Sequence, residues 1–197
     1  MTAEMTTGTR LTTEEPLHGG VRSAWAIDAK HSLVQFAVKH MMFTTVRGRF
    51  TEVRGTIHCT DESDPGSASV EAEIDTASID TGDADRDAHL RSPDFLDVEQ
   101  YPTITFKSTR VERVAEDELR VTGDLTIRGV TREVSLATTY NGRGTNPWGQ
   151  EVAGFTAETR INRKDFGLTW NVALETGGLL VGDKIDVLIE IQAIKQS

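Results

Sequence analysis

The amino-acid sequence predicts an all-β fold, a single eight-stranded antiparallel barrel, on three observations. Apolar and polar residues alternate with period two over most of the chain beyond Trp25. Glycine-containing breaks separate the alternating runs, at Arg128-Gly129-Val130, Asn141-Gly142-Arg143-Gly144 and Gly177-Gly178. No helical pattern of about 10–15 residues lies between the runs, so a parallel sheet with helical crossovers is disfavoured.

The elements follow in order. Residues 1–23 are rich in Thr, Glu and Gly without periodicity and are expected to be a disordered tail ahead of a barrel domain at 24–197. Order is expected from about Trp25. In Leu33–His40, the residues Val34, Phe36, Val38 and His40 share one face against Gln35 and Lys39. Val70, Ala72 and Ile74 alternate with Glu71, Glu73 and Asp75. The stretch from Asp83 to Asp97 departs from period two and reads as a short helix plus loop over a barrel end, limited by Pro93. Alternation resumes at Ile104 and Phe106. It is cleanest in Leu119, Val121, Gly123, Leu125 and Ile127, and continues through Val134, Leu136, Phe155, Ala157 and Ile161 to Ile185, Val187, Ile189 and Ile191. Closure into a barrel removes the unpaired edges that an open sheet would expose. The small residues Ala72, Gly123 and Ala157 on the inner face leave room for a channel.

Composition narrows the function. The net charge is -10, from 31 acidic and 21 basic residues, and supplies no basic face for nucleic acid. The same acidity disfavours anionic membrane surfaces, a local patch excepted. One cysteine, Cys59, rules out an internal disulfide and a multi-cysteine metal site. No apolar run reaches the roughly 20 residues of a membrane helix, and residues 1–22 lack a secretion-signal pattern, so a cytoplasmic location is expected.

Candidate chemistry is sparse. The histidines have no HxxxH or HExxH spacing; His58 and Cys59 point to opposite strand faces, as do His31 and His40 on a regular strand. His40 reads as a rim histidine or as a partner for the polar head of an apolar ligand. Asp83-Ala84-Asp85-Arg86-Asp87 resembles a calcium loop, but Ala88 stands where the sharp turn needs Gly, so Asp83 or Asp85 is expected to cap a short helix instead. Neither a GxSxG elbow nor a GxxxxGK[ST] phosphate loop occurs. No catalytic residue, metal or cofactor is assigned, which favours a binding protein.

Motifs spread along the chain resemble the YceI-like family. They begin with Trp25-x-Ile27-Asp28 and His31-Ser32-x-Val34-x-Phe36-x-Val38-x-His40. Gly48-x-Phe50, Gly55-x-Ile57 and Ser78-Ile79-x-Thr81 follow, then the block Arg86-Asp87-x-His89-Leu90-Arg91-Ser92-x-Asp94-Phe95-Leu96-Asp97. Tyr101-Pro102, Phe106-x-Ser108, Gly123-x-Leu125-Thr126-Ile127-x-Gly129-Val130-Thr131, Ile161-x-Arg163-x-Asp165-Phe166-Gly167 and Val181-Gly182-Asp183 complete them. The resemblance implies a lipocalin-like barrel whose pore holds a polyisoprenoid or similar long-chain amphiphile, and a homodimer in many members. Many relatives carry a secretion signal, whereas residues 1–23 here read as a polar tail, so a periplasmic carrier role is not expected to carry over.

Alternation and resemblance together place Val34, Phe36, Val38, His40, Ala72, Ile74, Phe106, Val121, Leu125, Ile127, Phe155 and Ile189 on the pore lining. Arg86, His89, Leu90 and Phe95 are expected to cover or shape its mouth. The expected function is to bind a polyprenol, polyprenyl phosphate or quinone for carriage or storage. Two alternatives stand beside it: an enzyme acting on such a lipid through His40, His89 or the Asp-rich segment, and a stress-related structural protein with a filled barrel.

Overall fold

The computed structural model describes residues 22–175 and 177–197. Among these, eleven antiparallel strand segments form one closed sheet: β1 (Ser23–Ile27), β2 (Leu33–His40), β3 (Thr44–Phe50), β4 (Val53–Cys59), β5 (Ala68–Asp75), β6 (Ile79–Asp80), β7 (Thr103–Arg113), β8 (Glu118–Ile127), β9 (Val130–Thr145), β10 (Glu151–Asn162) and β11 (Val181–Lys195). Three pairs of segments share a position in the ring. β1 and β2 lie end to end along β11, β3 and β4 lie end to end beside them, and β5 is followed by the short β6. The result is the expected eight-stranded antiparallel barrel with one short helix, α1 (Ala84–Arg91). The tail expected at 1–23 falls almost wholly outside the described residues, and β1 takes up its last residue, starting at Ser23 rather than Trp25.

The break between β1 and β2 has a local cause. The Asp28 side chain accepts from Lys30 N at 3.1 Å and pairs with His31 Nδ1 at 2.7 Å, which winds Ala29–His31 into a 3₁₀ turn. From the adjacent β11, Gln192 Nε2 donates to the same carboxylate at 3.2 Å, and Gln192 N donates to Ser32 Oγ at 3.2 Å. The kinked strand is thereby stitched to β11.

Glycine is needed where the wall is tight. A Cβ on Gly123 would lie 2.5 Å from the Lys107 carbonyl oxygen and 2.7 Å from Phe106 Cζ, so the Phe106 ring occupies the space a side chain would take. At the β8–β9 hairpin, Arg128 and Gly129 both have positive φ, 50° and 72°, as a two-residue turn of type I′ requires.

The excursion between β6 and β7 seals one end of the barrel. Asp83 caps α1 by accepting from Arg86 N at 3.1 Å, and buried Asp87 accepts from Thr81 N and Oγ1 at 2.9 and 2.5 Å. The helix stops at Arg91, two residues before Pro93. Behind it, Leu96 joins Ile79, Ile104, Ile127, Phe166 and Leu168 in a buried cluster against which Leu90 packs. Arg163, only 2% exposed, ties this plug to the last strand. It donates to the carbonyls of Leu168, Trp170 and Gly182 at 2.6, 2.9 and 2.9 Å, and burial lowers its pKa against the opposing effect of Asp183.

Gly123→Val is expected to destabilise the barrel by about 1–3 kcal/mol, because the new side chain meets backbone rather than a movable group. Urea unfolding followed by circular dichroism measures this, and an unchanged midpoint would show that the wall yields there.

Candidate ligand cavity

Along each strand one set of alternate side chains points inward, and these sets do not meet. They enclose a cavity of about 620 Å³. Ala153, Phe155, Ala157, Thr159 and Ile161 of β10 form one row, and Ile185, Val187, Ile189 and Ile191 of β11 form the next. From Ala153 to Ile161 the row runs about 27 Å along the strand, so the cavity is long and narrow.

Of the residues expected on the pore, Val34, Phe36, Val38, Ala72, Ile74, Phe106, Val121, Leu125, Ile127, Phe155 and Ile189 line the cavity. His40 does not, which corrects its inward placement. It shares a face with Val38, but it is the last residue of β2, paired with Thr44 and Val181 beyond an irregularity in the β11 register. Its strand partner Val181 still lines the cavity, so the chamber reaches this level of the wall while His40 is not part of the lining.

The group expected at the mouth also needs correction. Leu90 and Phe95 reach the cavity; Arg86 and His89 do not. Arg86 donates to Thr81 Oγ1 and to the Thr81 carbonyl at 2.8 and 3.0 Å, holding the start of the excursion. His89 pairs with Asp94 at 2.9 Å and sets its ring edge-on to Phe95 and Trp170, with centroids 5.0 and 4.6 Å apart. These residues build a stopper over the closed end, whereas the cavity opens at the other.

That opening was absent from the sequence reading. The lining residues that are exposed, Arg113, Glu116 and Arg143, all sit at the end where β1 begins and β11 finishes. Two β-bulges bring the arginines there. The β7–β8 register shifts between Ser108 and Arg110, turning Val111 and Arg113 inward after Phe106. The β9–β10 register shifts between Gly154 and Phe155, turning Arg143 inward after Tyr140. Simple alternation would have aimed both guanidinium groups outward.

A four-charge network braces this mouth. Arg143 contacts Glu62 and Glu151 at 3.2 and 3.5 Å, and Lys195 contacts the same two at 2.7 and 3.3 Å. Lys195 Nζ also lies 5.4 Å from the Trp25 ring centroid. Beneath the charges, Trp25, Tyr140 and Phe155 form an aromatic neck around the fully buried Ala193. The hydrogen bonds from Lys195 and Ser23 hold the Glu62 carboxyl below its ordinary value despite partial burial.

The other histidines take no part. His58 is exposed, His31 sits in the 3₁₀ turn, and His18 lies outside the described residues. Cys59 lines the cavity near the mouth, 3.3 Å from Ser67 Oγ. Among the described residues no cluster of three His, Cys, Asp or Glu side chains is arranged to hold a metal ion. No helix of the described residues is long and apolar enough to cross a membrane.

A closed antiparallel barrel with a hollow apolar interior and a polar mouth defines the class of barrel to which the lipocalins belong. Within that class the chain belongs to the YceI-like family, whose domain matches residues 25–193. It is 39% identical over 169 residues to protein YceI of Escherichia coli O157:H7, covering 86% of this chain and 84% of that protein. Its fold is similar to that of BcnA from Burkholderia cenocepacia, at a TM-score of 0.72 and 24% identity, over 84% of this chain and 98% of that one. It is also similar to a polyisoprenoid binding domain from Saccharophagus degradans implicated in plant cell wall breakdown. That match has a TM-score of 0.67 at 16% identity and covers 87% of this chain and 98% of that domain.

Because the Glu62 pKa is lowered on folding, its stabilising contribution is complete above the ordinary glutamate value of 4.5 and is lost as pH falls through the lowered one. Amide exchange across Asp61–Ser67, corrected for intrinsic rate, is expected to accelerate below about pH 4. Glu62→Gln should show the faster exchange already at neutral pH and lack the acid step.

Proposed function

We propose that this protein binds one long-chain amphiphile of the isoprenoid class, with its apolar tail in the barrel and its polar head at the charged mouth, for carriage or storage. The observation that carries this reading is the cavity itself. Its volume of about 620 Å³ falls within the range of about 300–1,000 Å³ typical of ligand pockets. Its walls are apolar rows; Glu62, Arg113, Glu116 and Arg143 gather at the rim, and Arg163 is the charged lining residue at the closed end.

Magnitudes favour a long tail. Each buried CH₂ contributes about 0.8 kcal/mol, so a tail of about five carbons supplies roughly 4 kcal/mol, near the lower bound of the cost of association. A tail of about fifteen carbons supplies roughly 12 kcal/mol and leaves a surplus. The Saccharophagus degradans neighbour, described as a polyisoprenoid binding domain, supports the same ligand class, and so does the family.

The alternatives fare less well. A filled barrel conflicts with the cavity volume. Catalysis through His40 or His89 lacks its geometry, since neither residue lines the cavity. At the mouth, Glu62 and Arg143 are engaged in the ion network rather than poised singly over a substrate.

Protein purified from its native host is expected to yield a long-chain lipid on organic extraction and mass spectrometry. Ala72→Phe combined with Ala157→Phe narrows the chamber and should weaken uptake of added polyprenol by about tenfold or more. An empty extract, together with no uptake of polyprenol or quinone by the unmodified protein, would sink the proposal.

A further inference from the structure

The β2–β3 hairpin carries features that the cavity does not use. Its turn is built against local preference: Met41 and Met42 have φ of 51° and 65°. Hairpin turns reserve that left-handed region for Asn, Asp and Gly, because a Cβ there crowds the backbone. The β8–β9 turn of the same protein places Gly129 in the second such position. Here both are methionine, and a phenylalanine follows.

The residues so displayed are exposed. Phe43 is 83% and Met42 67% exposed. Beside them, Met41 N donates to the Leu180 carbonyl at 2.8 Å and Leu180 N to the Val172 carbonyl at 2.9 Å. These bonds hold the neighbouring loop alongside, adding the exposed side chains of Val172 and Leu179. Two adjoining loops thus present one apolar tip.

Charge tells what covers it. From Lys39 to Arg49 the chain holds Lys39, Arg47 and Arg49 and no carboxylate. Arg49 is paired with Asp80, while Lys39 and Arg47 make no ion pair among the described residues. The carboxylates on the adjoining part of β11 are already engaged: Asp186 with Arg160 at 2.5 Å, and Asp183 with Lys164 at 2.9 Å and Arg163 at 3.5 Å. Glu175 is the one carboxylate in the neighbouring loop. At the opposite end of the barrel, Trp148 and Val114 are also exposed. There, however, Glu112, Glu116, Asp117 and Glu118 surround the β7–β8 turn.

We propose that the β2–β3 tip docks on an anionic lipid bilayer, with Met42 and Phe43 entering the interface while Lys39 and Arg47 meet the headgroups. The net charge of -10 does not forbid this. Screening confines the interaction to charges within about 8–10 Å; the mouth lies at the other end of the barrel, and on the excursion at this end Asp83 pairs with Arg86 and Asp94 with His89. Docking therefore does not depend on what the cavity holds, and the two functions are separately testable.

The full chain is expected to float with vesicles of phosphatidylcholine containing one quarter phosphatidylglycerol, to float poorly with phosphatidylcholine alone, and to be released by about 0.5 M salt. Met42→Ser with Phe43→Ser should lower the partition coefficient about tenfold or more. Lys39→Glu with Arg47→Glu should abolish the preference for anionic vesicles. Met41→Asn with Met42→Gly should relax the turn, raising the thermal midpoint while weakening vesicle binding. Polyprenol uptake by all three variants should match the unmodified protein. The proposal is overturned if anionic vesicles leave the chain unbound or if the serine variant floats as well as the original. It is overturned equally if sedimentation shows a dimer that Phe43→Ser dissociates while no vesicle is bound, which would make the tip a face between two copies.

Discussion

Closure of β11 onto β1 and β2 is the interaction on which the rest depends. A barrel with a hollow interior has no central core to hold it, because its inward apolar side chains face a cavity instead of one another. The wall is then stabilised mainly by its backbone ladders, and an open edge would leave a row of donors and acceptors unpaired. β11 meets that requirement by pairing with β10 along one side and with both β2 and β1 along the other. Close apolar packing is confined to the two ends. The Phe166 cluster seals one, and the Trp25–Ala153–Ala193 cluster narrows the other. Rigid ends and a vacant middle are what a barrel needs to keep its shape while its interior stays available.

The inner wall was legible in the sequence because strand periodicity reports a face directly. Phe36 and Phe106, both on the cavity lining, sit in stretches where alternation is unbroken, Phe106 ahead of the irregularity that begins after Ser108. His40 shows the limit of that logic: parity gives the face of a strand but not which side chains on that face reach the chamber, and the β11 register is irregular beside His40. The mouth was invisible for a related reason. Arg113 and Arg143 reach the cavity through bulges at Thr109 and Asn141, and a bulge reverses parity without any local signature in residue type. The excursion from Asp83 to Asp97 was recognisable as a cover, with its cap at Asp83 and its stop before Pro93. Which end is closed depends on contacts with Phe166 and Leu168, some seventy residues further along the chain, that no short pattern encodes.

Charge is sorted along the barrel rather than spread over it. At the mouth, Glu62, Arg143, Glu151 and Lys195 compensate one another, so the rim is highly charged yet locally balanced. Such a rim keeps water at the entrance and allows a polar head to stay solvated while the tail is buried. The aromatic neck beneath it marks where the solvated rim gives way to an aliphatic chamber. At the closed end, the buried charge of Arg163 has a different task. Its donors satisfy the carbonyls of a loop that would otherwise present unpaired oxygens to the interior. One arginine thus stabilises the stopper, while two others furnish the door.

The methionine turn at the tip of β2–β3 combines two departures from the pattern of the rest of the barrel. Elsewhere positive φ falls mainly to glycine, the inner face is apolar and the outer face is polar. Here two large apolar residues occupy the left-handed region and project into water. A substitution to Asn-Gly would relieve the backbone and remove exposed apolar surface at once, so both local terms favour replacement. A contact outside the barrel that buries the tip would offset both local terms. Lys39 and Arg47, which make no ion pair among the described residues, set the sign of the proposed contact: a surface apolar within and negative at its face.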